Sequence, residues 1–115
     1  MKSINTFAVS GRLTSDAQIY DGKNGKVARF SIAHNFGKGM DPLYLDTVMF
    51  SKNGKKAVEI PVDLLKKGQA VELGGYLRPN ISTDEAGKTY RRIDFVVLTC
   101  NAPAEAEAEA EADAE

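Results

Sequence analysis

The residues with a chemistry to offer are aromatic rings interleaved with cations. Tyr44 and Phe50 mark the ends of one face of Leu43-Tyr44-Leu45-Asp46-Thr47-Val48-Met49-Phe50, Phe36 lies with Lys38 in the loop before it, and Tyr76 precedes Arg78 on a later stretch. A strand alternates its side chains between two faces. Leu45, Thr47 and Met49 therefore share a face suited to a core, and Tyr44, Asp46, Val48 and Phe50 share the other. Two separated rings on a rigid strand form a platform for flat ligands. Cations beside them would follow phosphates while unpaired bases stack at about 1–3 kcal/mol each, with little dependence on sequence. Arg12, Arg29, Lys52, Arg78, Arg91 and Arg92 are the candidate phosphate contacts. Pattern alone leaves the Tyr44–Phe50 face open between a platform and a second buried face. Phe7, Phe30 and Phe95 go to the core, because their neighbours on the same strand face are apolar.

Other chemistries lack their residues. His34 is the single histidine and sits among apolar strand neighbours, where a structural role is expected. Cys100 is the single cysteine, with no second thiol to pair or to share a metal. Gly22-x-x-Gly25 and Gly37-x-Gly39 fall in loops, without the strand before and helix after that a phosphate-cradling loop needs. No catalytic set, metal site or cofactor is expected, and the chain reads as a non-enzyme.

The elements that must position the rings are strands. Ile4–Leu13 alternates around Gly11, a candidate bend, and continues through Ala17–Tyr20 after a kink near Ser15-Asp16. A turn cluster at Asp21–Gly25 leads to a second strand, Lys26–Asn35, and the Leu43–Phe50 strand is third. Pro61–Lys67 has the marks of a short helix: proline first, acid early, lysines late, and Gly68 at the C-terminal left-handed position. Gln69–Arg78 is a fourth strand, Pro79–Lys88 a long hairpin loop, and Thr89–Thr99 a fifth strand. Three strands, a short helix and two strands predict an all-β, five-stranded, curled antiparallel barrel with the helix between the third and fourth strands.

A chain of 115 residues suits one domain. No apolar run reaches the roughly 18 residues of a membrane span, and Met1–Phe7 enters the alternating pattern without a signal-peptide core. With one cysteine, the cytoplasm is the expected compartment. The net charge of −1 conceals a segregation. Ala104–Glu115 holds six acids and no base, so the rest of the chain carries 15 bases against ten acids, a net +5. A basic body suits a polyanionic partner. The Ala/Glu alternation of the tail places like charges four apart, which disfavours a helix and predicts a solvated, disordered extension.

The order of these stretches resembles the bacterial single-stranded DNA-binding protein family, built on one OB-fold per subunit. The resemblance runs through Asn5, Val9-Ser10-Gly11-Arg12-Leu13 and Asp16, then Val27–Ala33, Val48-Met49-Phe50 and Leu64–Gly68. It ends with Val71, Gly75, Leu77-Arg78, Thr83-Asp84, Gly87-Lys88 and Tyr90. It implies an OB-fold domain over residues 1–101, an acidic tail over 102–115, and binding of single-stranded DNA in replication, recombination or repair. Tyr44 falls where the family has a tryptophan and Phe50 on its phenylalanine, with Phe36 and Tyr76 as further stacking positions. Ser82 stands where a hairpin tryptophan is common, and Leu45-Asp46 where histidine and arginine are. The family implies a homotetramer (or dimer) near the nucleoid. Its tail ends in a hydrophobic tip that recruits replication and repair proteins, whereas this chain ends Asp113-Ala114-Glu115. The alternative is an OB-fold protein-interaction adaptor of a replication or DNA-transfer assembly, with weak DNA affinity. Asp46, Ser82 and the lack of tryptophan favour it.

Overall fold

In the computed structural model, residues 3–103 are described apart from 24, 54 and 55, with the backbone alone at 53 and 56. The strands are β1 (Phe7–Leu13), β2 (Gln18–Gly22), β3 (Gly25–His34), β4 (Leu43–Phe50), the two-residue β5 (Lys52–Asn53) and β6 (Lys56–Ala57), β7 (Ala70–Thr83) and β8 (Thr89–Asn101). The main sheet runs β1-β7-β8-β4-β3-β2 and is closed into a barrel by pairing of β1 with β3. β1 achieves closure by changing partners. Phe7 to Arg12 face Gly75 to Ala70 of β7, and Arg12 and Leu13 then face Ala33 and Ile32 of β3. Gly11 stands at this changeover, where a Cβ would lie 2.6 Å from the Ala33 carbonyl oxygen. Only glycine lets the two backbones approach that closely. β2 carries the β3 ladder onward beyond the Ser15-Asp16 kink, from Gln18↔Arg29 to Gly22↔Gly25. The OB-type ring expected from the sequence is thus present. One seam is parallel: β4 meets β8 only over Thr47↔Phe95, Val48↔Val96 and Met49↔Val97.

The barrel is filled by the inward residues of each strand, among them Phe30, Ile32, Met49, Leu73, Phe95 and Val97, closed at one end by Ile60 and Leu65. Thr47 is buried among them and donates its Oγ1 proton to the Phe30 carbonyl at 2.8 Å, so its hydroxyl is satisfied. Asn5 anchors the start of the chain to β7: its Nδ2 donates to the Leu77 carbonyl at 2.6 Å, and its Oδ1 accepts from the Leu77 N–H at 3.0 Å. One side-chain amide thereby continues the ladder past the end of β1.

Several expectations are corrected. The helix over Pro61–Lys67 is a single 3₁₀ turn, Val62–Leu64. It cannot propagate because the following backbone groups are already engaged. The Leu65 carbonyl accepts from Ala17 N–H, Lys67 N–H donates to Asp16 Oδ1, and Gly68 N–H donates to the Leu13 carbonyl. Gly68 does adopt a positive φ, +85°. The long hairpin loop is mostly strand: β7 runs to Thr83, β8 starts at Thr89, and the turn is tied by Asp84, whose Oδ1 accepts from Lys88 N–H. Phe7 is 46% exposed instead of buried. Its register partner is Gly75, beside a bulge in β7, and glycine offers no side chain to pack against. Phe30 and Phe95 are core residues as expected. The Ala/Glu stretch 104–115 lies outside the described residues.

Candidate nucleic-acid interface

The outward face of the β3–β4–β8–β7 sheet carries most of the residues singled out above. Residues opposite in register share a face, so one row crosses it as Arg29, Val48, Val96 and Tyr76, and beyond the β4–β8 pairing Ser31 stands opposite Asp46 and Asp94 opposite Arg78. At one end of β4, Tyr44 is 67% exposed, and at the other Phe50 is half-buried. They are separated by about 20 Å of strand. The face between them is not uniformly open. Val48 and Val96 are fully buried, because their short side chains lie between the long ones of Arg29 and Tyr76.

Around Phe50 the charge is positive. The Arg78 guanidinium lies 5.1 Å from the ring centroid, a cation–π contact. A pocket of about 180 Å³ beside the ring is lined by Gly22, Lys23, Gly25, Lys26, Val27, Phe50 and Lys52. Of its lysines, Lys26 is paired with Asp21 at 3.5 Å, both well exposed, and such a surface pair holds its partner weakly. Lys23 and Lys26 were not among the sequence candidates. Lys23 lies in the β2–β3 turn and Lys26 at the start of β3, and only the fold carries that hairpin to Phe50.

Around Asp46 the cations are already engaged. Asp46 accepts from Ser31 Oγ at 2.9 Å and faces Arg92 Nη2 at 3.5 Å. Arg29 Nη1 lies 3.8 Å from Asp94, which is 1% exposed and also accepts from Asn80 Nδ2 at 3.0 Å. Arg29 is therefore the counter-charge of a buried carboxylate, and removing it would leave that charge uncompensated. Asp46, Arg29, Ser31, Thr47, Arg92, Ser15, Asp16 and Gln18 line an open groove of about 280 Å³.

The remaining candidates are dispersed. Phe36 is 55% exposed in the β3–β4 loop, its ring set edge-on to His34 at 4.9 Å. His34 Nδ1 in turn lies 2.6 Å from the Ser10 carbonyl, so the histidine ties the loop to β1. Arg12 donates to the Gly68 carbonyl at 3.0 Å and so braces the segment before β7. Arg91 faces Ile81 across the hairpin and lies on the opposite side of that ribbon from Arg92. Lys52 is brought to Phe50, and Tyr76 stands at the far end of the row that begins with Arg29, whereas Arg12 and Arg91 are not brought to the rings. Cys100 is half-buried, and burial pushes its thiol up from the ordinary value, away from a reactive thiolate. Among the described residues no three potential ligands gather as a metal site, and no helix is long and apolar enough to cross a membrane.

The fold is a closed barrel of OB topology, and its outer sheet face presents rings along β4 with cations beside them from neighbouring segments. No family model matches the chain. Among curated proteins, the chain is similar to the single-stranded DNA-binding protein of Borreliella burgdorferi, 38% identical over 85 residues, covering 68% of this chain and 54% of that protein. It thus spans about half the length of that relative. Among solved structures it is similar to the mitochondrial single-stranded DNA-binding protein Rim1 of S. cerevisiae, with a TM-score of 0.65 at 15% identity over 88% of this chain and 96% of that one. It is also similar to the Plasmodium falciparum SSB solved with ssDNA, with a TM-score of 0.67 at 22% identity over 88% and 94% of the two chains. These structures share the fold, and the curated relative bears out the resemblance drawn from the residues.

Proposed function

We propose that this protein binds single-stranded DNA without enzymatic action and with little dependence on sequence, covering exposed strands during replication, recombination or repair in the cytoplasm, as an oligomer of identical chains. The observation that carries the reading is the outer face of β4. An exposed Tyr44 and the half-buried Phe50 supply stacking faces on one rigid strand, and Arg78, Lys23, Lys26 and Lys52 from neighbouring segments set phosphate contacts around Phe50. The curated relative carries the matching name. The arginines held by Asp46 and Asp94 lower the free positive charge, which favours binding weaker than an unpaired set would give.

Titration of labelled poly-dT against salt, read by anisotropy, tests this. Tight binding at low salt, a negative slope of log affinity on log salt from counterion release, and preference for the single strand over duplex are expected. Absence of binding at low salt, both by the intact protein and by a version ending at Pro103, overturns the reading. Binding by the shortened version alone would show the acidic tail competing for the cations.

A further inference from the structure

A surface that holds only polyanions has no use for Asp46, whose carboxylate repels phosphate from the middle of the proposed path. The side chain is nevertheless held there, by Ser31 Oγ at 2.9 Å and Arg92 Nη2 at 3.5 Å, and remains 59% exposed. We propose that Asp46 and Arg92 together read the edges of bases, favouring those with an exocyclic amino group over thymine. The inference rests on the single-stranded DNA reading above and adds a base preference to it.

A carboxylate offers about four lone-pair sites, and the two contacts leave the others open to solvent. The bond to Arg92 is at the long limit of hydrogen bonding, so the guanidinium keeps N–H groups to donate elsewhere. The pair thus presents an acceptor beside a row of donors. Cytosine offers the complement, its N4 amino group toward the carboxylate and its N3 and O2 toward the guanidinium, and adenine offers the same pattern through N6 and N1. Acceptance from the cytosine amino group is a recognised use of an acidic side chain on DNA. Thymine lacks the amino group and offers the carboxylate only its N3–H, flanked on both sides by the O4 and O2 acceptors that the carboxylate repels. The placement suits this role. Asp46 follows Tyr44 on the same face at a spacing of about 7 Å, so a base stacked on that ring directs its edge at Asp46. The groove of about 280 Å³, walled by Asp46, Arg92, Arg29 and Ser31, leaves room for that edge. Phosphates, excluded by the carboxylate, are free to follow the lysines near Phe50.

The test compares anisotropy titrations of the full chain with labelled dC and dT oligomers of equal length, at fixed salt and mildly alkaline pH, where dC strands stay unfolded. Both are pyrimidines, so stacking area is matched. The expected result is dC bound at least about five-fold more tightly than dT, the low end for a good base contact. In Asp46→Ala the two affinities should converge through a gain for dT. Asp46→Asn should also flatten the ratio, since its amide presents a donor as well as an acceptor, and it carries the test if the alanine variant melts early. Equal binding of dC and dT by the wild type overturns the inference alone, as does a ratio unchanged in Asp46→Ala or Asp46→Asn. Failure to bind either oligomer at low salt overturns the underlying reading and the inference together.

Discussion

The two ends of β4 solve different problems with similar residue types. At the Phe50 end, Arg78, Lys23, Lys26 and Lys52 surround a half-buried ring, with one weak surface partner, Asp21, among them. At the Tyr44 end the ring is mostly exposed, and along the strand from it the arginines Arg92 and Arg29 are engaged by Asp46 and the buried Asp94. Unengaged cations around a ring attract any strand. Engaged ones contribute less to net attraction but hold their donors in fixed positions, the condition for reading a base edge. Counting basic residues along the sequence treats these two regions as equal. The structure separates them by what each cation already touches.

Three variants bear on this contrast. Phe50→Ala removes both the stacking face and the Arg78 cation–π contact. It is expected to cost up to about 3 kcal/mol of poly-dT affinity together with some thermal stability, read by anisotropy and a melting curve in parallel. A loss of folding without a separable loss of affinity would make Phe50 a packing residue and dissolve the comparison. Tyr44→Ala should cost less, about 1 kcal/mol of affinity, and leave the melting temperature unchanged, because an exposed ring contributes little to the core. The double change Lys23→Gln with Lys26→Gln should have the smallest effect on affinity at low salt and should read out mainly in the salt titration. Each lost phosphate contact lowers the magnitude of the slope by about 0.7 on single strands. An unaltered slope would remove the β2–β3 turn from the interface.

The ring of strands was readable because each inward face keeps its apolar alternation, as in Ala28, Phe30 and Ile32 or Leu73 and Leu77, and because Gly11 flags the closure. The hairpin was not, because Pro79, Asn80 and Ser82 look like loop residues. Beyond Gly75, β7 has no β1 partner on one side, and Leu77 turns its N–H and carbonyl to that side, toward Asn5. Pro79, two residues on, therefore lacks an N–H only where the ladder with β8 needs none. At the site, Tyr44 and Phe50 were legible from strand alternation. The burial of Val48 was not, since it depends on Arg29 and Tyr76, which reach it from other strands. The engagement of Arg12 with Gly68 and the turning away of Arg91 likewise follow from long-range register, which spacing along the chain does not record.

The short parallel seam has a mechanical consequence. β4 and β8 are stitched only from Thr47 to Met49, as in a zipper halted partway. Above the halt, Asp46 on one tape and Arg92 on the other are bridged by side chains alone, and the groove is the gap left unzipped. Its aperture is therefore governed by the last closed tooth, the Thr47–Phe95 pair, whose hydroxyl is tethered to Phe30 on a third strand. A volume change at Phe95, deep in the barrel, would reset the width of the mouth at the surface.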